Sequence, residues 1–215
     1  MKGKENSDIN LEKLLNFFAI AGKLKKTIRF GAAKKIEGDS SADHSWRLAL
    51  MVFMVAQESK LKVNKEKAMK IALVHDIAEG ITGEIDYRDV FCGKITKKRK
   101  NAGEKRAMQK IKKTLPPSLG REIYALWNEY ENSLSREAKF VKALDKIETT
   151  IHLVESGHKT YDFPELIAFY PDKAVSDFPE LKNLLKVVKR RLKREFRKGE
   201  FIWKKEYDNY LATIK

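Results

Sequence analysis

The stretch Lys67-Ala68-Met69-Lys70-Ile71-Ala72-Leu73-Val74-His75-Asp76-Ile77-Ala78-Glu79 decides how this chain is read. Ala68, Ile71, Ala72 and His75 recur at helical spacing, which predicts a helix that starts after Asn64 and stops by Gly80 or Gly83. His75 stands four residues after Ile71 and so shares the core-facing side. Asp76 follows it directly, and Glu79 lies one helical turn beyond both. Burying an unpaired carboxylate is expensive and is normally tolerated only with a partner or a metal. Ionisable side chains set into an apolar stripe are therefore the first pointer to chemistry.

The same conflict recurs on either side of this stretch. A helix predicted to start near Ser40 to Asp43, good N-cap types, carries Leu48, Met51, Val52 and Val55, and His44 lies one turn before Leu48. Another, over Ser135 to Ser156, carries Phe140, Val141, Leu144, Ile147, Ile151 and Val154, and Asp145 sits at the edge of that stripe. Taken singly, each residue has a plain structural reading, since a buried histidine is most often a hydrogen-bonded core residue. Taken together, two imidazoles and two carboxylates from three helices make a mixed nitrogen and oxygen site suited to a divalent transition ion.

The rest of the chain reads as helices too. Leu11, Leu14, Leu15, Phe18 and Ala21 to Leu24 form a first amphipathic segment ended by a loop over Lys25 to Gly38, and Gly80 to Gly93 reads as loop with short turns. A basic helix over Lys97 to Thr114 ends at Pro116-Pro117, ahead of one holding Ile123, Leu126 and Trp127. A basic amphipathic helix is expected over Pro179 to Arg197 and a short last one over Tyr207 to Ile214. No sustained alternation supports strands, so the expected class is all-α, a compact multi-helix fold.

With 215 residues, 42% of them hydrophobic, the chain has enough apolar material for one core, which excludes disorder over most of its length. The longest wholly apolar run, Leu48 to Ala56, falls well short of the roughly 20 residues of a membrane span. The polar start, Met1 to Asp8, is not that of a signal peptide, and Cys92 is the sole cysteine, so a soluble, cytoplasmic protein with no membrane partner is expected. The net charge of +15 invites a nucleic-acid partner. The excess is confined to Lys94–Lys113, with ten basic residues and one acid, and Lys182–Lys198, with nine and one. Binding to nucleic acid and plain solvation of two basic helices both stay open, and no recognition motif accompanies the charge.

Asp43-His44-Ser45-Trp46-Arg47, His75-Asp76-Ile77-Ala78-Glu79 with Thr82-Gly83-Glu84-Ile85, and Ala138-Lys139-Phe140-Val141-Lys142-Ala143-Leu144-Asp145-Lys146 together resemble the HD-domain metal-dependent phosphohydrolases. Within them the likeness is to the 5′-deoxynucleotidase branch, supported by Gly22-Lys23-Leu24-Lys25 and Leu126-Trp127-Asn128-Glu129-Tyr130-Glu131. The resemblance covers roughly Leu11 to Phe169, so an HD-type domain is expected over residues 1–178; the basic helical extension, residues 179–215, is unlike the family's shorter ends and is expected to pack on or continue the same domain. The resemblance places the metal ligands on His44, His75, Asp76 and Asp145 and the catalytic acid on Glu79. It also implies a nucleoside monophosphate or related phosphoester as substrate, and a homodimer to which Trp127 to Tyr130 could lend an aromatic patch. One position departs from the family's Arg-x-Gly-Trp loop: Arg29-Phe30-Gly31-Ala32 keeps the arginine and glycine but has alanine in place of the tryptophan. A phosphohydrolase acting on another nucleotide or phosphoester therefore stays open as the alternative.

At such a site a divalent ion acidifies a bound water and neutralises phosphate. Manganese, cobalt, iron and zinc all suit the main donor set. Glu79 is placed to act as general base or, structurally, to accept a hydrogen bond from a ligand histidine. Glu84 either binds a sugar hydroxyl or joins Glu79 and the Ile85 carbonyl around a second ion, for which oxygen ligands suit magnesium. Arg29 and Arg47 are candidate phosphate contacts, with ordinary ion pairing as the other reading of each. His152, His158 and Cys92 are set aside: two turns separate His152 from Asp145, His158 falls near a loop, and Cys92 lacks an activating neighbour.

Overall fold

The computed structural model describes residues 2–30 and 38–208, and these are all-α. Eleven helices run α1 Lys2–Ala21, α2 Ser41–Glu58, α3 Lys65–Val74, α4 Glu79–Thr82, α5 Tyr87–Phe91, α6 Lys97–Thr114, α7 Pro117–Asn132, α8 Arg136–Ser156, α9 Pro164–Phe169, α10 Asp172–Asp177 and α11 Lys182–Lys198. Among the described residues the one extended pairing is a bridge between Ile28 and Ser40. Gly31 and Ala32, half of the divergent loop, and most of the segment expected as a last helix, residues 209–215, lie outside the described residues. Tyr207 itself falls in a 3-10 turn, Lys205–Asp208. No described helix is long and apolar enough to cross a membrane.

The chain divides into two compact units, the first holding described residues 2–30, 38–46 and 70–132 and the second 47–69 and 133–208. In the first unit α6 packs on α7, α4 and α1. Its Glu104, Ala107, Met108 and Ile111, at i, i+3, i+4 and i+7, face inward and leave most of its lysines outside. The Thr96 hydroxyl caps it by accepting from Arg99 N at 3.2 Å. Leu115 is driven into extended backbone by the proline that follows, and Pro117 opens α7 where its missing N–H costs nothing.

Three expectations change in this unit. The third helix stops at Val74 rather than near Gly80, and His75 to Ala78 form a turn before the single helical turn α4, which Gly83 ends at φ 72°. On α1 the expected stripe splits: Leu11, Leu15 and Phe18 are 55%, 60% and 59% exposed, and the shielded side is Leu14, Phe17 and Ala21. The helix carries apolar residues on both sides, and periodicity alone does not choose between them. Trp127 and Tyr130 are buried, so this segment offers no surface aromatic patch for a dimer.

In the second unit α8 is the central element, with α10 and α11 packed against it. Phe140, Val141, Leu144, Ile147 and Leu153 form its buried side, and the Ser135 hydroxyl caps its start by accepting from Ala138 N at 3.1 Å. The described part of the basic extension belongs to this unit. Leu185, Val188, Leu192 and Phe196 of α11 turn inward, and Lys189 is buried with them, its ammonium 2.6 Å from Asp172 and 2.8 Å from the Tyr207 carbonyl. Burial without such partners would be prohibitive for a lysine.

Candidate metal centre

Four residues of the first unit meet where α2 begins and α3 ends. Ser40 and Asp43 form a reciprocal cap at the start of α2: Ser40 N donates to Asp43 Oδ2 at 3.2 Å and Asp43 N donates to Ser40 Oγ at 3.1 Å. This fixes the first turn, on which Ser41 and His44 are wholly buried. His75 and Asp76 follow at the break after Val74, and Glu79 opens α4.

The donor atoms converge. His44 Nε2 lies 3.3 Å from His75 Nε2, His75 Nε2 lies 3.0 Å from Asp76 Oδ2, and His44 Nε2 lies 3.9 Å from the same oxygen. His75 Nδ1 is 2.8 Å from the Ala72 carbonyl, which can only accept, so Nδ1 donates there and Nε2 is the ring nitrogen that faces His44 and Asp76. The Tyr130 ring packs edge-on against His75, with centroids 4.9 Å apart, and holds the imidazole in that plane. Bonds of about 2.1 Å to an octahedral or tetrahedral ion give donor-to-donor edges of about 3.0 to 3.4 Å. Two of the three separations fall in that range, and two imidazoles with one carboxylate are the donor types a transition ion takes, so these residues fit a divalent metal.

Negative charge accumulates beside them. Burial, then the charges of Asp76 and Glu84, push the Glu79 carboxyl well above its ordinary range, against the Ser41 hydroxyl that donates to Oε2 at 2.6 Å. Burial likewise raises Glu84, which is hydrogen-bonded to Glu79. Lys100 on α6 faces the same group. Burial opposes its charge, but Glu104, Glu84, Glu79 and Asp76 outweigh that and hold its ammonium above the usual range. Burial pushes Glu104, 3.6 Å from Lys100, up to about 7.

The structure thus brings His44, His75, Asp76, Glu79 and Glu84 together in one unit, with Ile85 directly after Glu84. Arg29 belongs to the same unit, buried, with its guanidinium 3.4 Å from Asp39 and over the Phe30 ring. Phe30 is itself buried, at φ 59°. Asp145 lies in the second unit, buried on α8 and 2.8 Å from Lys146. Arg47, also in that unit, pairs with Glu148, at 2.6 Å from Nε, and with Glu155 at 2.7 Å, so of its two readings the ion pair is what the geometry displays. Ser41, Lys100, Glu104 and the packing of Tyr130 on His75 escaped the sequence reading. Lys100 and Glu104 stand four apart on one helix, a weak signal amid nine other basic residues.

The chain is similar to several known proteins. The 5′-deoxynucleotidase HDDC2 of Homo sapiens is 35% identical over 175 residues, covering 80% of this chain and 82% of that protein. Its counterpart from Xenopus laevis is 40% identical over 146 residues, 67% and 69% of the two chains. Among solved structures, a predicted metal-dependent phosphohydrolase from Magnetospirillum magnetotacticum MS-1 superposes with a TM-score of 0.73 at 25% identity, covering 91% of this chain and all of that one. The HD domain pattern itself matches residues 21–174, a span that takes in His44, the His75-Asp76 pair and Asp145, and the chain belongs to the HD domain family.

Proposed function

We propose that this chain is a metal-dependent phosphomonoester hydrolase that converts deoxyribonucleoside 5′-monophosphates to deoxyribonucleosides and phosphate. The observation that carries the reading is the convergence of His44 Nε2, His75 Nε2 and the Asp76 carboxylate beside buried Glu79, in a chain whose relatives are named 5′-deoxynucleotidases. His44, His75 and Asp76 would hold the ion, and Asp145 is the proposed fourth ligand, on the strength of its burial and of the family pattern. Bound there, a divalent ion neutralises phosphate charge and lowers the pKa of water.

The chain's own groups do the rest. Glu79, kept basic by burial and restrained by Ser41, takes the proton from the attacking water. The water oxygen bonds to phosphorus, the P–O5′ bond breaks, and the proton is returned to O5′ of the departing nucleoside. Arg29, anchored by Asp39, is the phosphate contact. Glu84 either accepts from the deoxyribose hydroxyl or would join Glu79 and the Ile85 carbonyl around a second ion, for which magnesium is suited. Arg47 is held on α2 by Glu148, which lies one turn beyond Asp145 on α8.

The test is a substrate panel of deoxyribonucleotides, ribonucleotides and simple phosphate esters, run with manganese, cobalt and magnesium. Faster release of phosphate from the deoxy series is expected, and equal rates on the two sugars would remove the deoxynucleotidase reading. The same reading has the chain working in the cytoplasm as a homodimer, for which the exposed Leu11, Leu15 and Phe18 on one side of α1 are the supporting surface. Light scattering at micromolar concentration is expected to give twice the 24.9 kDa chain mass, and a monomer would rule the dimer out.

A further inference from the structure

The outer face of α11 has no part in the hydrolase reading. At 100° per residue, Lys186, Arg190, Arg194 and Arg197 fall on one side of the helix, flanked by Lys182 and Arg191, and all six are exposed. The four central charges follow each other over about 16 Å of helix axis. None of the six has an ion-pair partner among the described residues. The sole acid of the helix, Glu195, is turned away and taken up by Lys198 at 2.6 Å and by His158. Six unpaired cations in a row repel one another and gain nothing for the fold, since the packing of this helix is done by Leu185, Val188, Leu192 and Phe196 on the opposite side.

We propose that this face of α11 is a docking surface for the phosphate backbone of duplex nucleic acid. Four of the six are arginines, whose planar guanidinium matches phosphate oxygens two at a time, and duplex carries one charge per roughly 1.7 Å, dense enough to meet every cation of the row. A lipid surface fits less well. The apolar side of α11 is spent on the core, and Val187 is the one large apolar side chain exposed on the helix, so nothing is left to insert. Single strands fit less well too, because the face presents no aromatic ring on which a base could stack. With only backbone to read, binding is independent of sequence.

The experiment is fluorescence anisotropy of a labelled 30-base-pair duplex with the full chain across a salt series. Four to five neutralised phosphates predict a slope of about −4 in log affinity against log salt. Reversing Lys186, Arg190 and Arg194 to glutamate is expected to weaken binding on the order of thirtyfold and to flatten that slope by about three. Arg190→Gln with Arg194→Gln should give a smaller loss in the same direction. As all these residues are exposed, circular dichroism and phosphatase activity should stay unchanged. A control reversing Lys98, Lys105 and Lys110 on α6 removes the same charge and should leave affinity within about threefold. Wild-type affinity in the α11 variants would overturn the proposal, as would equal loss in the control, which would assign binding to net charge. Tighter binding to phosphatidylserine vesicles or to single strands than to duplex would also overturn it.

Discussion

His75 is restrained on three sides: its Nδ1 donates to Ala72, its ring meets Tyr130, and its Nε2 faces His44 and Asp76. A ligand so oriented before the ion arrives loses little freedom on binding, and its neighbours matter as much as it does. Replacing Asp76 by alanine is expected to remove bound metal and activity together, since it takes away both charge and an edge of the donor set. Elemental analysis checks this, and metal surviving in Asp76→Ala would reassign the site. Glu79→Gln should keep metal at the main site and lower turnover by about 10² to 10⁴, the usual reach of a general base. Ser41→Ala, which only loosens Glu79, should cost less than Glu79→Gln in the same assay.

Among elements, α2 and α8 carry ligand candidates and are tied within the second unit by Arg47, which holds Glu148 and Glu155 at once. Glu148 is fully buried, and leaving its carboxylate without the guanidinium is costly. Because Arg47 itself is partly exposed, Arg47→Ala is expected to destabilise by about 2–4 kcal/mol rather than by the full cost of a buried pair. A double-mutant cycle with Glu148→Gln in urea denaturation measures the coupling, and additive losses would show that the two side chains act separately. The break after Val74 also belongs to this scale. It lets Asp76 and Glu79 face the site from a turn and a new helix, with Gly80 allowing α4 to lie on α1, where a Cβ would come 2.7 Å from the Ile20 carbonyl.

For the whole molecule, the carboxylates around the site make stability depend on pH and metal. Burial lifts Glu104 to about 7 from an ordinary 4.5, so the folded protein holds that proton more tightly than the unfolded chain does. Its stabilising contribution is complete below about 4.5 and is lost as the pH rises through about 7. Metal-free protein is therefore expected to lose roughly 1–3 kcal/mol between pH 5 and 8. Glu104→Gln should flatten that slope in denaturant titrations run with chelator, leaving the part contributed by the raised Glu79 and Glu84. Adding manganese at a hundredfold excess over its dissociation constant should restore about 2.7 kcal/mol, read as a rise in Tm.

The sequence by itself determined what is local. Apolar residues three and four apart placed α2 and α8 within a few residues and basic runs placed α6 and α11, Ser40 and Ser135 announced two starts, and Pro116-Pro117 an end, because backbone hydrogen bonding and capping act over one or two turns. The candidate ligands were legible for the same reason, as charges out of place on apolar stripes. Whether Leu14 or Leu15 of α1 faces inward, where α3 breaks, and that Trp127 and Tyr130 lie inside rather than on the surface were settled only by tertiary packing. So were the pairing of Arg47 with Glu148, 101 residues away, and the placing of Lys100 among the site carboxylates. Coulomb forces and close packing join groups by distance in space, and sequence separation says almost nothing about that distance.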